Sequence, residues 1–236
     1  DLFFRNISFQ NIQILKMISF LVRDKNWNNY EPKILNYEEN FNSSLEYIFD
    51  LEYGIKEILK TRNTLLFSEN SITLSSEGKF LTDFWTNRIG YNLLIPLEKH
   101  VGSNISVEKE DGIKEINKFP SFIKPYQPFY KFKNLSYTLD NSLLINISFQ
   151  GILFEMEDQR NWGDASYKIY SGSLLDPFPY LEKKDSKFSQ TIKIDLSNKK
   201  ERSFSSKNDT KLDITTSYTF PKIGIKIDSL DIPEEN

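Results

Sequence analysis

The chain has 236 residues, 39% of them hydrophobic and 14% aromatic, which is enough for a sizeable core in one large or two small β domains. Its net charge is −3 with both signs interspersed, so nothing indicates the basic face that a nucleic-acid partner requires, and no such partner is expected. With no cysteine and His100 as the only histidine, structural zinc, haem attachment, cysteine nucleophiles and disulfides are excluded. We therefore expect no cofactor and no metal, and the lack of disulfides fits a reducing cytoplasm.

The early apolar stretch at residues 12–22 does not have the properties of a membrane segment. It is interrupted by Lys16 and is too short to span a bilayer. It also lacks the charged leader and the small-residue cleavage site of a signal peptide. No membrane partner is expected, and because the sequence begins at Asp1 we expect it to be part of a longer translation product.

Alternation of apolar and polar residues predicts several strands with one buried face. The alternating runs are residues 45–53, 71–75, 188–196 and 212–220. Glu77-Gly78, Asp111-Gly112 and Asp140-Asn141 stand between possible strands and predict turns, with Asp111-Gly112 the clearest hairpin signal. Many short strands joined by such turns indicate an antiparallel sandwich rather than βαβ units.

The apolar positions change from odd to even numbers at Gly151. A β-bulge at this glycine would produce the shift, and so would a strand that ends there. A bulge would turn Glu155 and Glu157 onto the face opposite Phe154 and Met156. The sequence favours neither interpretation over the other.

Two proline-containing segments, residues 119–129 and 171–180, are predicted to be irregular because each proline removes a ladder donor. The polar residues 198–209 are predicted to form an exposed loop. We therefore predict an all-β, antiparallel β-sandwich-like domain with long irregular loops, covering residues 1–221. Residues 222–236 alternate like a new strand and then resemble a helix start, so we expect them to begin a following domain that is cut off.

Residues 154–170 are the part of the chain richest in chemistry. Glu155, Glu157, Asp158 and Asp164 lie here, close in sequence to the cation Arg160. Paired carboxylates perform acid–base work, bind hard cations through oxygen, or hydrogen-bond sugar hydroxyls beside a tryptophan. The structural alternative is that Arg160 and the acids form a buried ion network that locks a loop to the sheet. No spacing typical of a metal site is present.

Three smaller features add to this picture. His100, next to charges and a glycine, is predicted to be an exposed loop residue rather than a base. Trp27 and Trp162 are first of all packing residues. Because each adjoins an asparagine and charged neighbours, each is also a candidate ligand-binding residue. The pentapeptides at residues 23–27 and 158–162 share an acid, a base, an asparagine and a tryptophan, which we attribute to chance rather than to duplication.

The wording of residues 154–170, with Asp158-Gln-Arg-Asn-Trp162 and then Asp164-Ala-Ser166, resembles a signature of the D-apionate lactonase family. Further matches in the same order extend the resemblance from about residue 20 to residue 180. They are Val22-Arg-Asp-Lys-Asn-Trp27, Asn87-Arg-Ile-Gly90 leading to Pro96, Phe119-Pro120, Pro125-Tyr-Gln-Pro-Phe129 and Pro177-Phe-Pro179. One departure is Ile95, where a histidine is expected before Pro96, and it weakens any catalytic role for that loop.

The resemblance implies the N-terminal β domain of a hydrolase that opens a sugar-acid lactone to the free acid in carbohydrate catabolism. A barrel domain, expected to follow in the same chain, would supply most of the active site, and this domain would edge it. The catalytic candidates are Glu157, Asp158 and Arg160. The substrate-binding candidates are Arg23, Asp24, Asn26, Trp27, Asn161, Trp162 and Asp164. Two alternatives are a non-catalytic carbohydrate-binding module and a glycosidase-related enzyme with a carboxylate pair.

Overall fold

A computed structural model describes residues 2–140 and 142–198 of the chain. The loop predicted at residues 198–209, apart from its first residue, the strand predicted at 212–220 and the following domain predicted at 222–236 lie outside the described residues. The end of the β domain at residue 221 lies outside them as well, so these expectations stay predictions.

Within the described residues the protein is built almost entirely of strands, with one short 3-10 turn at Gln159–Trp162. The strands are β1 (Leu2–Phe9), β2 (Ile12–Asp24), β3 (Pro32–Phe41), β4 (Leu45–Tyr53), β5 (Leu59–Ser68), β6 (Ser71–Phe80), β7 (Phe84–Pro96), β8 (Asn104–Lys109), β9 (Lys114–Lys118), β10 (Phe129–Leu139), β11 (Leu143–Gln150), β12 (Phe154–Asp158), β13 (Ser166–Ser171), β14 (Tyr180–Glu182) and β15 (Lys187–Asn198). They form one antiparallel sheet in the order β1-β2-β7-β13-β12-β10-β11-β15-β6-β5-β4-β3, with β14 beside β7, and β8 joining β10 to β9. The predicted all-β antiparallel class is confirmed.

The sheet curls so that its two halves face each other across a single hydrophobic core. Phe20 of β2 lies at the centre, with its ring centroid 6.0 Å from that of Tyr53 on β4 and 5.5 Å from that of Phe188 on β15. Phe4 of β1 likewise lies 5.9 Å from Tyr47 on β4. Strands that are distant in the sheet order therefore share one core, as in a sandwich.

The alternating runs form strands where alternation predicted them, because one side of each faces this core. The run at Leu45–Tyr53 is β4, with Leu51 and Tyr53 fully buried, and the run at 188–196 lies within β15. Asp111-Gly112 connects β8 to β9 as a hairpin, and Asp140 follows β10 where a turn was predicted. Both proline-containing segments are irregular between their flanking strands, as predicted.

Two sequence predictions are wrong. Glu77-Gly78 is not a turn but lies inside β6, where a Cβ on Gly78 would come 2.4 Å from the Lys60 carbonyl oxygen, so the glycine permits close strand approach. His100 is not exposed but fully buried, packed edge-on against Phe119 and Tyr137 at centroid distances of 5.4 Å and 5.1 Å. Its charged neighbours in sequence gave no indication of these distant aromatic partners.

Gly151 ends a strand and does not form a bulge. β11 stops at Gln150 and β12 starts at Phe154, so the chain leaves one side of β10 and returns on the other. Gly151 has a φ of +94°, and a Cβ there would lie 2.1 Å from the Ser189 carbonyl oxygen. This crossing brings β12 beside β13, where the acidic segment of the sequence lies.

The middle of β7 is paired with a side chain instead of a strand on one of its two edges. On that edge β13 pairs with residues 92–96 and β14 with residues 84–86, which leaves a gap between them. The buried Gln190 of β15 fills the gap: its amide nitrogen donates to the Ile89 carbonyl and its oxygen accepts from the Tyr91 N–H, each at 3.2 Å. A Cβ on Gly90, whose φ is +131°, would lie 2.2 Å from that amide oxygen, so only glycine fits there.

No helix in the described part of the chain is long and apolar enough to cross a membrane.

The irregular segments 119–128 and 172–179 lie against the outer surface of β12 and β13, through contacts described below. They matter for function because they cover polar side chains that would otherwise be open to water.

Candidate functional site

Strands β2, β7, β13 and β12 carry a group of polar side chains on the face that points away from the core. Neighbouring strands in register place Arg23 beside Arg88, Asn92 beside Tyr170, and Lys168 beside Glu157. The residues that alternate with them along the same strands, such as Ile89, Leu93 and Ile169, face the core. We call the outward set the outer polar cluster: Arg23, Arg88, Asn92, Glu155, Glu157, Lys168 and Tyr170.

Glu155 is a fully buried carboxylate whose contacts are all hydrogen-bond donors. It accepts from the Tyr170 hydroxyl, from the Ser173 hydroxyl at 2.5 Å and from the Leu174 N–H at 2.9 Å. Gln127 of the first irregular segment donates to the same Tyr170 hydroxyl at 3.2 Å. Glu155 therefore fixes both covering segments to the sheet and has no exposed surface for a ligand.

Arg88 is 8% exposed, and its guanidinium makes aromatic contacts only. Its Cζ lies 3.8 Å from the ring centroid of Tyr170 and 5.3 Å from that of Trp27. No hydrogen bond or ion pair to its side chain occurs within residues 2–140 and 142–198. Burial lowers the pKa of Arg88, and nearby Arg23 lowers it further, against the opposing effect of Tyr170 and Glu155.

Two other residues of the outer polar cluster also have polar atoms without partners. Asn92 is 2% exposed, and neither its amide nitrogen nor its oxygen has a hydrogen-bond partner in the described structure. The buried Nε of Arg23 is unpartnered as well. Buried polar groups are usually paired, so unpaired ones at a single surface are a feature that calls for an explanation.

Glu157 and Lys168 form the more accessible part of the cluster, with side chains 20% and 19% exposed. They are paired at 3.4 Å, and Glu157 also accepts from the Trp162 indole and from Gln159, each at 2.8 Å. Burial lowers the pKa of Lys168; Glu157 opposes this, and the charges of Arg88 and Arg23 add to the lowering. The indole of Trp162 is itself 75% exposed.

Asp158 points away from Glu157, because adjacent strand residues face opposite sides, and forms a clamp with Arg160. The guanidinium donates to both carboxylate oxygens of Asp158 at 2.8 Å and 2.7 Å. Arg160 also donates to the carbonyls of Pro120, at 2.8 Å, and Ser121, at 3.1 Å. Asn161 donates to the Lys124 carbonyl. This is the buried ion network that the sequence left open, and it fixes the segment at residues 119–124.

Asp158 is fully buried, and its charge is stabilised locally. Burial acts to raise the pKa of this carboxyl, but hydrogen bonds from Arg160 and from the backbone N–H groups of Lys124 and Arg160 outweigh it, so the pKa is lowered. The candidates Asp158, Arg160 and Asn161 therefore contact protein groups, whereas Glu157 keeps a partly exposed carboxylate.

The remaining candidates lie in two further places. Asp24 accepts from the backbone N–H groups of Asn26 and Asn28 at 2.8 Å and 2.9 Å, which shapes the turn carrying Trp27. Asp158 likewise accepts from the backbone N–H two residues ahead, that of Arg160, at 3.2 Å. Asp164 pairs with Lys16 at 2.9 Å at the start of β13.

Sequence reasoning missed Arg88 and Asn92 as members of a site. Asn87-Arg-Ile-Gly90 was noted only as a family resemblance, and its arginine gave no other signal. The described residues contain no group of three or more His, Cys, Asp or Glu side chains that could hold a metal.

The fold and the outer polar cluster define an antiparallel β domain with a polar site on its outer face. The chain matches the family described as "D-apionate lactonase, N-terminal domain" over residues 1–199. It is also 32% identical over 242 residues to the D-apionate lactonase of Brucella anthropi, covering 98% of this chain and 39% of that protein. The chain belongs to the D-apionate lactonase N-terminal domain family and spans well under half the length of this relative.

Among solved structures, the Slr1438 protein from Synechocystis sp. PCC 6803 is similar with a TM-score of 0.55 and 10% identity. The match covers 81% of this chain and 87% of that one. At this level of identity the similarity concerns the fold alone.

Proposed function

We propose that this chain is the N-terminal β domain of a D-apionate-lactonase-like hydrolase that opens a sugar-acid lactone to the free acid in carbohydrate catabolism. The observation that carries the proposal is family membership over residues 1–199, together with similarity to a named lactonase along 98% of the chain. In this proposal a barrel domain of the same protein supplies most of the reacting groups, and the protein acts in the cytoplasm.

Lactone opening requires a base and a group that stabilises negative charge. The oxygen of water bonds to the carbonyl carbon, the ring C–O bond breaks, and the proton taken from water passes to the departing alkoxide. The transient oxyanion needs preorganised donors. The outer polar cluster offers the carboxylate of Glu157 and, 3.4 Å away, the ammonium of Lys168 for these two roles.

We assign different roles to the candidate residues according to their contacts. Glu157 is the proposed catalytic carboxylate, while Asp158, Arg160 and Asn161 are positioning residues that hold the covering segment. Trp162, Trp27 and Arg23 flank the substrate, and Asp24, Asn26 and Asp164 shape the adjoining backbone.

The test measures release of acid from D-apionolactone by the full product of the gene and by the 236-residue chain. We expect turnover by the full product, little or none by the shorter chain, and a fall in kcat of about 100-fold or more in Glu157→Gln of the full product. Glu115→Gln, at a 44% exposed position on β9, is the matched control and should keep full activity.

Three results would contradict separate parts of the proposal. Absence of lactone opening by the full product overturns the function. Full activity in the 236-residue chain overturns the assignment of most chemistry to another domain. Unchanged kcat in Glu157→Gln removes that residue from the mechanism.

A second candidate, a non-catalytic carbohydrate-binding role, is favoured by the exposed indole of Trp162 beside Glu157. Sugar binding without turnover in both forms of the protein would support it. The carboxylate-pair alternative is less favoured, because Glu155 is fully buried and Asp158 points to the opposite side of β12 from Glu157.

A further inference from the structure

We propose that Arg88, supported by Arg23, Lys168 and Asn92, forms a binding site for the carboxylate of a small polyhydroxy acid. The site lies on the outer face of β2, β7 and β13, and Arg88 is its centre. It does not depend on any catalytic step; only the identification of the acid as the product of lactone opening rests on the proposed function.

The first argument is the state of Arg88. A guanidinium that is 8% exposed has lost most of its hydration, and such a charge is normally compensated by an ion pair or by hydrogen bonds. Here the compensation comes from two aromatic rings, with centroids 3.8 Å and 5.3 Å from the guanidinium carbon. The N–H donors at its edges have no acceptor in the described structure, and a carboxylate accepts two of them in parallel.

The second argument is the unpaired groups beside it. The Arg23 Nε and both amide atoms of Asn92 are buried without partners on the same face. An amide offers one donor and one acceptor side, which suits a hydroxyl group next to the carboxylate of a sugar acid. An acid with a hydroxyl next to its carboxylate carries groups of the kind that these side chains lack as partners.

The third argument is the balance of charge. Three cations of the cluster, Arg23, Arg88 and Lys168, face two carboxylates. Glu155 is already occupied by three donors, and Glu157 pairs with Lys168 at 3.4 Å. The two arginines are left with no carboxylate within ion-pair distance among the described residues, so an added anion improves the electrostatics of this face.

The experiment is titration calorimetry at constant ionic strength, on the 236-residue chain and on the full product of its gene. The probes are sodium D-apionate, sodium D-gluconate, neutral D-glucitol and inorganic phosphate. We expect the two carboxylates to bind and D-glucitol not to bind. In Arg88→Met the affinity should fall at least about tenfold, since a charge-assisted bidentate contact is lost. Arg62→Met, at a 55% exposed position, should bind as the unchanged chain does.

The variant should fold, because methionine replaces a buried charge that has no ion-pair partner, and its thermal unfolding is measured beside the titration. If Arg88→Met is unfolded, Lys168→Met is used, and it too must weaken the binding. Equal affinity in these variants, absence of carboxylate binding, or binding of phosphate alone would each overturn the site. Carboxylate binding without lactone turnover would leave it standing while the proposed function failed.

Discussion

His100 is a single histidine held neutral inside an aromatic cage. Burial lowers its pKa to about 4, against a hydrogen bond between Nδ1 and the Glu98 carbonyl that acts in the opposite direction. Its ordinary pKa is about 6.5, so between these values the unfolded chain binds a proton that the folded chain does not. The stabilisation is therefore complete above about pH 6.5 and is lost as the pH falls towards 4.

We expect the free energy of unfolding to fall by up to about 3 kcal/mol between pH 7 and pH 4 because of this one residue. Urea unfolding at a series of pH values measures the slope. His100→Gln removes the titration, so its stability should change less over the same range. Parallel slopes in the two proteins would show that the histidine is not the cause.

For single residues, the sequence indicated their chemical role better than it indicated their burial and contacts. Glu157 and Trp162 were identified as candidates because their local wording is unusual. Arg88 was not, because its contacts with Trp27 and Tyr170 join parts of the chain that no short pattern connects to it. For the same reason His100 was expected in solvent.

Among the elements, the segment at residues 119–128 is held by one clamp more than by regular backbone pairing. The side chain of Asp158 is fully buried and that of Arg160 is 15% exposed, so removing the arginine leaves a buried carboxylate without its ion-pair partner. Arg160→Met should cost about 3–5 kcal/mol of unfolding free energy. In the double variant with Asp158→Asn the cost should be smaller than the sum of the two single costs.

Chemical denaturation of the three variants measures this coupling. Arg62→Met, whose ion pairs are exposed and 3.7 Å long, is the control and should change stability by no more than about 0.5 kcal/mol. If Arg160→Met keeps full stability and loses only activity, the clamp acts on a ligand and not on the fold.

Elements with one buried face were predictable, and those buried on both faces were not. β4 and β15 alternate cleanly, but β7 is buried at nearly every position and therefore reads as a mixed run without a period. Glycines misled in the same way: Gly78 looked like a turn residue, although it marks a close approach of two strands. Local sequence does not show whether a glycine forms a turn or allows two strands to approach closely.

The whole described sheet should unfold as one unit, because its two halves share the core around Phe20. Phe20→Ala removes ring contacts to Tyr53 and Phe188 across the core and should cost about 3–5 kcal/mol. Unfolding followed by tryptophan fluorescence and by far-UV circular dichroism should still coincide.

Phe41→Ala is the matched control, since Phe41 is 77% exposed on β3 and should contribute little. Separate transitions for the two probes would mean that the two halves of the sheet fold independently. A small cost for Phe20→Ala would mean that the core is not shared as described.

The overall class and most irregular segments followed from turn signals and proline positions, whereas the order of the strands did not. The crossing at Gly151, which carries the chain from one side of β10 to the other, depends on contacts with Ser189 some forty residues away. Sequence alone left bulge and strand end equally possible.

Gln190 interrupts the backbone pairing along one edge of β7. For the length of one peptide unit, the neighbour of β7 is an amide carried on a flexible side chain from the far half of the sheet. Hydrogen bonds to a neighbouring strand break only when that strand separates from β7. The hydrogen bonds of Gln190 can break by rotation about its side-chain bonds. Exchange of the Tyr91 amide proton therefore requires movement of one side chain and not separation of a strand, and β13 and β14 pair with β7 as two separate segments.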